Sequence, residues 1–283
     1  MPGGLRPPGI MAVNGRRWFW ASRRNNSAIG EVDLHVDDAL LAEELAERAG
    51  ALLLKLRAAG AGGRTGDAES DAFLLAELAA RRPGDAVLSE ESPDPAGRQT
   101  AERVWIVDPL DGTREYGEAG RTDWAVHVAL WERGELACGA VALPALSAVR
   151  SSRTPVPPPA REAVRRIAVS RTRPPAWAHP VAEELDAELV GMGTAGAKVD
   201  AVLRGEVDAY LHDGGQYEWD SAAPVAVAQA AGLHASHVDG SPLRYNRPDP
   251  WAPDLLVCDA GVADRVVGLI GRHRTTSEGA RAR

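Results

Sequence analysis

The sequence predicts an α+β arrangement followed by an α/β arrangement, with the elements packed as layers. Two long helical patterns come first, between residues 36 and 82, and a succession of strands follows them. Beyond the proline-rich stretch at residues 154–159, strands and helices alternate. Because helices and sheets bury their apolar faces against one another, this order predicts layers with a functional site between them.

The first half of the chain begins with two helices and continues as strands. Leucines and alanines recur at helical spacing from Val36 to Ala59, with aspartates near the start and Gly60 at the end, which indicates an amphipathic helix. A loop at residues 60–66 and a second helix over about 67–82 follow. Strands are predicted at residues 86–88 and 104–107 and, as a hairpin around Arg133 and Gly134, at 124–131 and 136–143; residues 147–151 are compatible with a further strand.

The second half alternates between the two kinds of element. Strands are predicted at residues 166–170, 188–191, 207–212 and 255–258, and helices at 195–204 and 222–231. The domain organisation that we predict is a disordered leader over residues 1–30, an N-terminal α+β domain over 31–152, a C-terminal α/β domain over 161–274 and a tail over 275–283.

Composition narrows the classes of partner. The 283 residues carry a formal net charge of −8, which argues against a nucleic-acid polymer or an anionic membrane. No stretch approaches the roughly 20 apolar residues of a membrane span, and residues 1–30 lack the apolar region of a secretory signal. Cys138 and Cys258 stand far apart, without the spacing of a metal or redox pair, which indicates a reducing cytoplasm. A homodimer is compatible with the sequence.

The segment between residues 104 and 113 is the most informative part of the chain. An apolar, β-branched run predicts a buried strand, after which Pro109 interrupts the ladder and Gly112 allows a tight turn. Hard oxygen ligands that converge from such a turn suit Mg²⁺. The alternative is an ordinary Asp-Pro turn in solvent. The oxygens concerned are the carboxylates of Asp108 and Asp111 and the carbonyl of Leu110.

More acidic residues lie at the ends of predicted elements. Glu90 and Glu91 follow a short strand, and Asp220 lies just before an alanine-rich helix. Taken singly, these residues are most simply explained as a solvated loop and a helix cap. Together with Asp108 and Asp111 they form the kind of acidic set from which multi-metal phosphatases build a site, with metal ions about 3.5–4 Å apart.

Three spaced motifs resemble the inositol monophosphatase superfamily of Mg²⁺-dependent, lithium-sensitive phosphatases. They are Ser89-Glu90-Glu91, Asp108-Pro-Leu-Asp-Gly-Thr113 and Trp219-Asp220-Ser-Ala-Ala-Pro224. Four phrases are similar to the CysQ-type enzymes of actinobacteria: Asp108-Pro-Leu-Asp-Gly-Thr-Arg-Glu115, Ala168-Val-Ser170-Arg-Thr-Arg-Pro-Pro175, Gly193-Thr-Ala-Gly-Ala-Lys198 and Asp239-Gly-Ser-Pro-Leu-Arg-Tyr-Asn246. The resemblance implies the layered αβαβα sandwich of the inositol monophosphatase and fructose-1,6-bisphosphatase type.

The resemblance also implies roles for individual residues. Two or three Mg²⁺ ions would be held by Glu90, Asp108, Asp111, Asp220 and the Leu110 carbonyl. Thr113 would orient the attacking water together with Asp67, although Asp71 competes for that role because the usual sequence before this acid is absent here. Glu91 would lie outside the ligand set.

Substrate contacts follow from the same comparison. The resemblance implies that Gly112, Ser170, Arg171, Arg173, Thr194, Lys198 and Asp220 contact the substrate. Small residues, free amides and one ammonium in the segment from Gly193 to Lys198 suit a second phosphate. The alternative for Lys198 is an ordinary strand–helix turn with the side chain in solvent.

The implied activity is removal of the 3′-phosphate from 3′-phosphoadenosine 5′-phosphate by direct attack of metal-activated water, in sulfur assimilation. The alternatives are an inositol-1-monophosphatase, a fructose-1,6-bisphosphatase and, less favoured, a non-catalytic metal- or nucleotide-binding regulator. Haloacid-dehalogenase phosphatases need two acids two residues apart, the first a nucleophile. Asp108 and Asp111 are three residues apart, which disfavours a phospho-aspartyl route.

Overall fold

In this computed structural model, the structure describes residues 12–13, 16–17 and 34–281, with side chains over residues 38–274. Strands β1 (Ala12–Val13) and β2 (Arg16–Arg17) pair antiparallel. They belong to a unit of residues 1–32, and residues 33–283 form a second compact unit. Apart from these two strands, the leader predicted over residues 1–30 lies outside the described residues.

The first sheet of the second unit has five strands in the order β3-β4-β5-β6-β7. They are β3 (Ala86–Ser89), β4 (Arg103–Asp111), β5 (Ala125–Glu132), β6 (Glu135–Leu143) and β7 (Ala148–Ser151). Strand β3 runs parallel to β4, and the other pairs are antiparallel. Arg133 and Gly134 both have positive φ, as a tight hairpin turn requires, so the predicted hairpin is confirmed.

Two helices cover the outer face of this sheet: α1 (Leu34–Ala58) and α2 (Gly63–Arg81). Helix α2 begins earlier than predicted, because the amides of Thr65 and Gly66 both bond to the carbonyl of Gly62 at 3.1 Å. Residues 63–66 were therefore wrongly predicted as loop. Asp67 consequently lies in the second turn of the helix rather than at its start.

The second sheet also has five strands, in the order β11-β12-β10-β8-β9. They are β8 (Arg166–Ser170), β9 (Glu188–Met192), β10 (Ala209–Tyr217), β11 (His234–Ser236) and β12 (Trp251–Cys258). Strand β10 is parallel to β8 and antiparallel to β12. The remaining helices are α3 (Thr113–Gly117), α4 (Ala178–Leu185), α5 (Ala195–Leu203), α6 (Glu218–Ala230) and α7 (Ala263–Arg281).

Burial along β4 shows how the layers are arranged. Trp105 and Val107 pack with α1 and α2, whereas Val104 and Ile106 pack with α5 and α6 on the opposite face, as the alternation of a strand requires. The second sheet packs its own inner face against α5 and α6, and its outer face, with Leu211, against α4 and α7. The predicted αβαβα sandwich is therefore confirmed.

The change from one sheet to the other falls between β7 and β8, where the proline-rich stretch lies. Both sheets share the middle layer of α5 and α6, so residues 33–283 are one compact unit. Helix α7 runs through the stretch predicted as a tail from residue 275. Within the described part of the chain, no helix is long and apolar enough to cross a membrane. Cys138 and Cys258 are buried and unpaired.

The contact between β6 and α6 has no room for a side chain at Gly139. A Cβ there would lie 2.8 Å from the Cβ of Ala226 and 3.2 Å from the Cα of Ala223. We expect Gly139→Ala to lower the free energy of unfolding by about 1–3 kcal/mol, the usual cost of overpacking. Urea denaturation measures this change. Gly84→Ala is the matched control, because a Cβ at Gly84 meets nothing within 4 Å; equal losses in both variants contradict this account of the interface.

Candidate metal centre and substrate cavity

The corner after β4 brings two buried carboxylates together. The register between β4 and β5 shifts between Asp108 and Asp111, and this bulge accommodates Pro109, which has no amide to donate. The strand therefore continues to Asp111 instead of ending at Val107. The amide of Leu110 donates to Asp108 Oδ1 at 3.1 Å.

The turn that follows requires glycine for two reasons. Gly112 has φ +90°, in the left-handed region. A Cβ at this position would also lie 2.4 Å from Thr194 Cγ2. Gly112 therefore lets the β4–α3 corner approach the loop before α5, which comes from the other half of the chain.

Helix α2 presents two polar side chains to this corner, those of Asp67 and Ser70. Thr113 Oγ1 lies 3.2 and 3.3 Å from the two carboxylate oxygens of Asp67, and Ser70 donates to the carbonyl of Pro109 at 2.8 Å. Asp71 instead accepts hydrogen bonds from Ser89 Oγ at 2.6 Å and from Ser92 Oγ at 2.8 Å. Of the two competing acids, the structure brings Asp67 to the threonine and uses Asp71 to hold the segment around Glu90.

Four carboxylates, Glu90, Asp108, Asp111 and Asp220, form an acidic cluster. Burial raises the pKa of Glu90 to about 7, and the charges of Asp220 and Asp111 add to this. Burial and the charge of Asp111 raise the pKa of Asp220 to about 7. The pKa of Asp108 lies well above its ordinary value because the side chain is buried and Asp111 is close.

Asp220 shows where a sequence expectation needs correction. Helix α6 begins at Glu218, so Asp220 occupies its third position and not the cap. Its Oδ2 accepts a hydrogen bond from the amide of Tyr217 at 2.7 Å. One oxygen of the carboxylate thus secures the start of α6, while the residue as a whole lines the cavity.

A cavity of about 690 Å³ opens beside the acidic cluster, a volume typical of small-molecule sites. Most of the predicted site residues line it: Glu90, Asp111, Gly112, Thr113, Ser170, Arg173, Thr194, Lys198 and Asp220. Asp67, Asp108 and Leu110 are not among the lining residues. Arg171 is not part of the lining either, because its Nη2 donates to Glu115 Oε1 at 2.6 Å.

Several lining residues were not predicted from the sequence, among them Thr172, His212 and Gln216. His212 and Gln216 lie on β10 and are only 5% and 6% exposed. Polar residues in an otherwise apolar strand could have indicated a binding site, because buried polar groups usually need a hydrogen-bond partner. The strand was predicted to end at residue 212, however, so Gln216 was outside it.

Lys198 is buried and does not extend into solvent. Its Nζ donates to the carbonyls of Gly193 at 2.6 Å and Thr194 at 2.9 Å and lies 4.9 Å from the centre of the Tyr210 ring. Burial lowers its pKa to about 8, although the charge of Asp111 opposes this. The solvated-lysine alternative is therefore wrong: the ammonium secures the loop before α5 and lies at the cavity wall.

Helix α5 begins at this wall. Thr194 Oγ1 accepts from the amide of Ala197 at 3.1 Å as the helix cap. The amide of Gly196 points at Asp111 Oδ2, at 3.4 Å. The positive end of a helix from one half of the chain thus faces a carboxylate from the other half, which favours the ionised form of that carboxylate.

The arrangement fits a metal ion. Buried carboxylates without enough cationic partners are unfavourable in a low-dielectric site, and a divalent cation removes this penalty. Oxygen atoms of Asp108 and Asp111 and a ring nitrogen of His127 all lie within 4.8 Å of one another. Most of the potential metal ligands are therefore carboxylate oxygens, and the carbonyl oxygen of Leu110 lies near them.

Comparison with known proteins agrees with the fold. A family model described as "Inositol monophosphatase family" matches residues 64–267. The chain belongs to the inositol monophosphatase family, which is metal-dependent, and the predicted resemblance is confirmed.

Individual relatives extend the match. The chain is 52% identical over 252 residues to the 3′-phosphoadenosine 5′-phosphate phosphatase of Mycobacterium leprae (strain TN), covering 82% of this chain and 93% of the relative. It is 33% identical over 194 residues to the 3′(2′),5′-bisphosphate nucleotidase CysQ of Escherichia coli (strain K12), covering 63% and 77%. The crystal structure of inositol monophosphatase II from Staphylococcus aureus MSSA476 superposes with a TM-score of 0.71 at 20% identity, covering 86% of this chain and 97% of that one.

The acidic cluster predicts an unusual dependence of stability on pH. In the metal-free protein, the pKa values of Glu90, Asp111 and Asp220 are about 7, above the value near 4 expected in the unfolded chain. The folded state therefore holds more protons between about pH 4 and 7, and the free energy of unfolding falls as the pH rises through this window. We expect a lower Tm at about pH 7.5 than at about pH 5.

A divalent cation reverses this loss, because it binds only the ionised carboxylates of the folded state. At one hundred times its Kd it should add about 2.7 kcal/mol, and the gain in Tm should be larger at the higher pH. Differential scanning fluorimetry with and without the cation measures both effects. Asp220→Asn is the comparison variant and should show a smaller fall with pH; a Tm that does not change with pH contradicts the electrostatic account.

Proposed function

We propose that this protein is a Mg²⁺-dependent phosphomonoesterase that removes the 3′-phosphate of 3′-phosphoadenosine 5′-phosphate. The observation that carries the proposal is the convergence of the acidic cluster with the Thr113–Asp67 pair beside a cavity of small-molecule size. The relatives named as bisphosphate phosphatases, at 52% and 33% identity, support the substrate class. The unpaired, buried cysteines agree with a cytoplasmic location.

The residues that would hold the metal ions are Glu90, Asp108, Asp111, Asp220 and the carbonyl of Leu110. When bound, two or three Mg²⁺ ions would lower the pKa of a bound water and place positive charge next to the phosphoryl oxygens. Asp108 and Asp111 are held by the bulge in β4, and Asp220 is held by the first turn of α6. Preorganised ligands of this kind need little rearrangement during the reaction.

Thr113 and Asp67 form a path for the proton of the attacking water. Thr113 Oγ1 donates to the carboxylate of Asp67 and can accept from a water on its other side. Burial raises the pKa of Asp67 to about 6, and the charge of Glu91 adds to this. A carboxylate with such a pKa accepts a proton more readily near neutral pH than an exposed aspartate.

The part of the cavity lining outside the acidic cluster suits a second phosphate. Ser170 and Arg173 line the cavity on the β8 side, and Lys198 and the first turn of α5 line it beside Asp111. Arg173 provides a charged donor at the cavity surface. Arg171 does not, because its guanidinium is paired with Glu115. Two subsites that each bind a phosphate favour a bisphosphorylated substrate over inositol-1-phosphate.

A substrate panel tests this proposal. With Mg²⁺, we expect kcat/KM for 3′-phosphoadenosine 5′-phosphate to exceed that for inositol-1-phosphate and fructose-1,6-bisphosphate by at least about tenfold, a difference of about 1.4 kcal/mol. Release of inorganic phosphate is the measurement. A preference for either sugar or inositol phosphate overturns the substrate assignment, and no release from any of them overturns the phosphatase assignment.

Asp108→Asn should abolish turnover and leave the fold intact. The substitution keeps the shape of the side chain but removes a buried charge that faces other carboxylates. We expect kcat to fall at least about 100-fold, while the Tm of the metal-free protein stays the same or rises. Asp264→Asn, at an exposed position in α7, is the control and should retain turnover. Near-normal activity of the Asp108→Asn variant refutes the metal-ligand role.

Arg173→Ala tests the subsite for the second phosphate. Loss of a hydrogen bond to a charged group costs about 1.5–3 kcal/mol, so kcat/KM for the bisphosphate should fall about 10- to 100-fold. The matched substrate adenosine 3′-monophosphate lacks the 5′-phosphate and should lose much less. Arg165→Ala removes an exposed arginine that pairs with Asp186 and serves as the control. Equal losses for both substrates exclude Arg173 as the contact for the second phosphate.

A further inference from the structure

His127 is a buried side chain that neither the motifs nor the proposed mechanism uses. It lies on β5, directly opposite Asp108 on β4, and its side chain is fully buried. It lies outside the three motifs that contain the acidic residues. Its position, between the acidic cluster and the start of α6, brings it into contact with groups from both.

The surroundings of the ring define which nitrogen carries the proton. Nδ1 lies 3.2 Å from the backbone carbonyl oxygen of Trp219. A carbonyl oxygen only accepts hydrogen bonds, so Nδ1 must be the donor. In the neutral ring, Nε2 then has a free lone pair. The contact with Trp219 also fixes the plane of the ring relative to Asp220, the next residue along the chain.

Nε2 points into the acidic cluster. It lies 3.3 Å from Asp111 Oδ2, and among the described residues it has no hydrogen-bond partner. Ligand atoms of Asp108, Asp111 and His127 are all within 4.8 Å of one another. Two acceptors that face each other in a buried site repel, and buried polar atoms without partners are rare. A cation between them resolves both problems.

Gly196 keeps this approach open on the remaining side. A Cβ at residue 196 would lie 2.5 Å from Nε2 and 2.9 Å from Val141 Cγ1. The glycine at the start of α5 therefore lets the imidazole reach Asp111. The same residue donates its amide to Asp111 Oδ2, so ring and helix contact one carboxylate oxygen from two sides.

We propose that Nε2 of His127 is a nitrogen ligand of the metal centre, beside the carboxylates of Asp108 and Asp111. This inference rests on the proposed metal-dependent function and adds a ligand of a different chemical class. Imidazole favours first-row transition-metal ions over Mg²⁺, the later ones such as Zn²⁺ most strongly, whereas carboxylates and carbonyls suit Mg²⁺. The centre should therefore bind Mn²⁺ or Zn²⁺ more tightly, relative to Mg²⁺, than an all-oxygen site would.

Pulsed electron paramagnetic resonance of the full chain loaded with Mn²⁺ tests the inference. We expect the nitrogen coupling of a directly bound imidazole, and we expect its pattern to change when the protein is prepared with ¹⁵N-labelled histidine. The labelled protein needs no substitution, so the test holds even if a variant fails to fold. Mn²⁺ bound without nitrogen coupling overturns the inference and leaves the proposed function intact. Failure of the wild-type chain to bind Mn²⁺ overturns the metal centre itself.

Two variants assign the nitrogen. His127→Asn should lose the coupling and bind Mn²⁺ about 10- to 100-fold more weakly, with a smaller change for Mg²⁺, as measured by calorimetry. His212→Asn is the matched control, because His212 is also buried and lines the cavity; it should retain the coupling. Loss of the coupling in His212→Asn but not in His127→Asn overturns the assignment. If Nε2 of His127 only donated a hydrogen bond to Asp111 and did not bind the metal ion, the wild-type protein would show no coupling.

Discussion

Repulsion among Glu90, Asp108, Asp111 and Asp220 is the constraint on which the rest of the structure depends. Each carboxylate is stable in its ionised form only if a cation or a hydrogen-bond donor compensates for lost hydration. The fold provides some donors: the amides of Leu110 and Gly196, and the amide of Tyr217 for Asp220. These donors do not offset the charges of four carboxylates, so the site favours the binding of metal ions.

The layered fold explains why such a cluster can be assembled. Strand β4 contributes Asp108 and Asp111 from the first sheet, while the starts of α5 and α6 approach from the middle layer. Those two helices follow strands of the second sheet. Because the middle layer packs on both sheets, the distances between the carboxylates are set by the apolar core rather than by flexible loops. A centre of this kind can be precise without being built from neighbouring residues.

Particular elements show how far local pattern predicts the fold. The hairpin of β5 and β6 and the long helix α1 were predicted because alternation, helical spacing and turn residues all agreed. The helix α4 and the strand β11 were missed because both are short. The apolar residues of α4 are buried against α7 and the second sheet, and β11 is held by pairing with β12. Helices α2 and α6 both begin about four residues earlier than predicted, because backbone bonds and the Asp220 side chain extend them.

The sequence by itself determined the class of site: acids at fixed spacing around an Asp-Pro-Leu-Asp-Gly-Thr turn have a recognisable chemistry wherever the chain folds. The tertiary structure decided the division of roles. It brought Asp67 rather than Asp71 to Thr113, paired Arg171 with Glu115, buried Lys198 and directed His127 at Asp111. Each of these outcomes depends on which residue from a distant element occupies the space next to the side chain, and spacing along one chain does not contain that information.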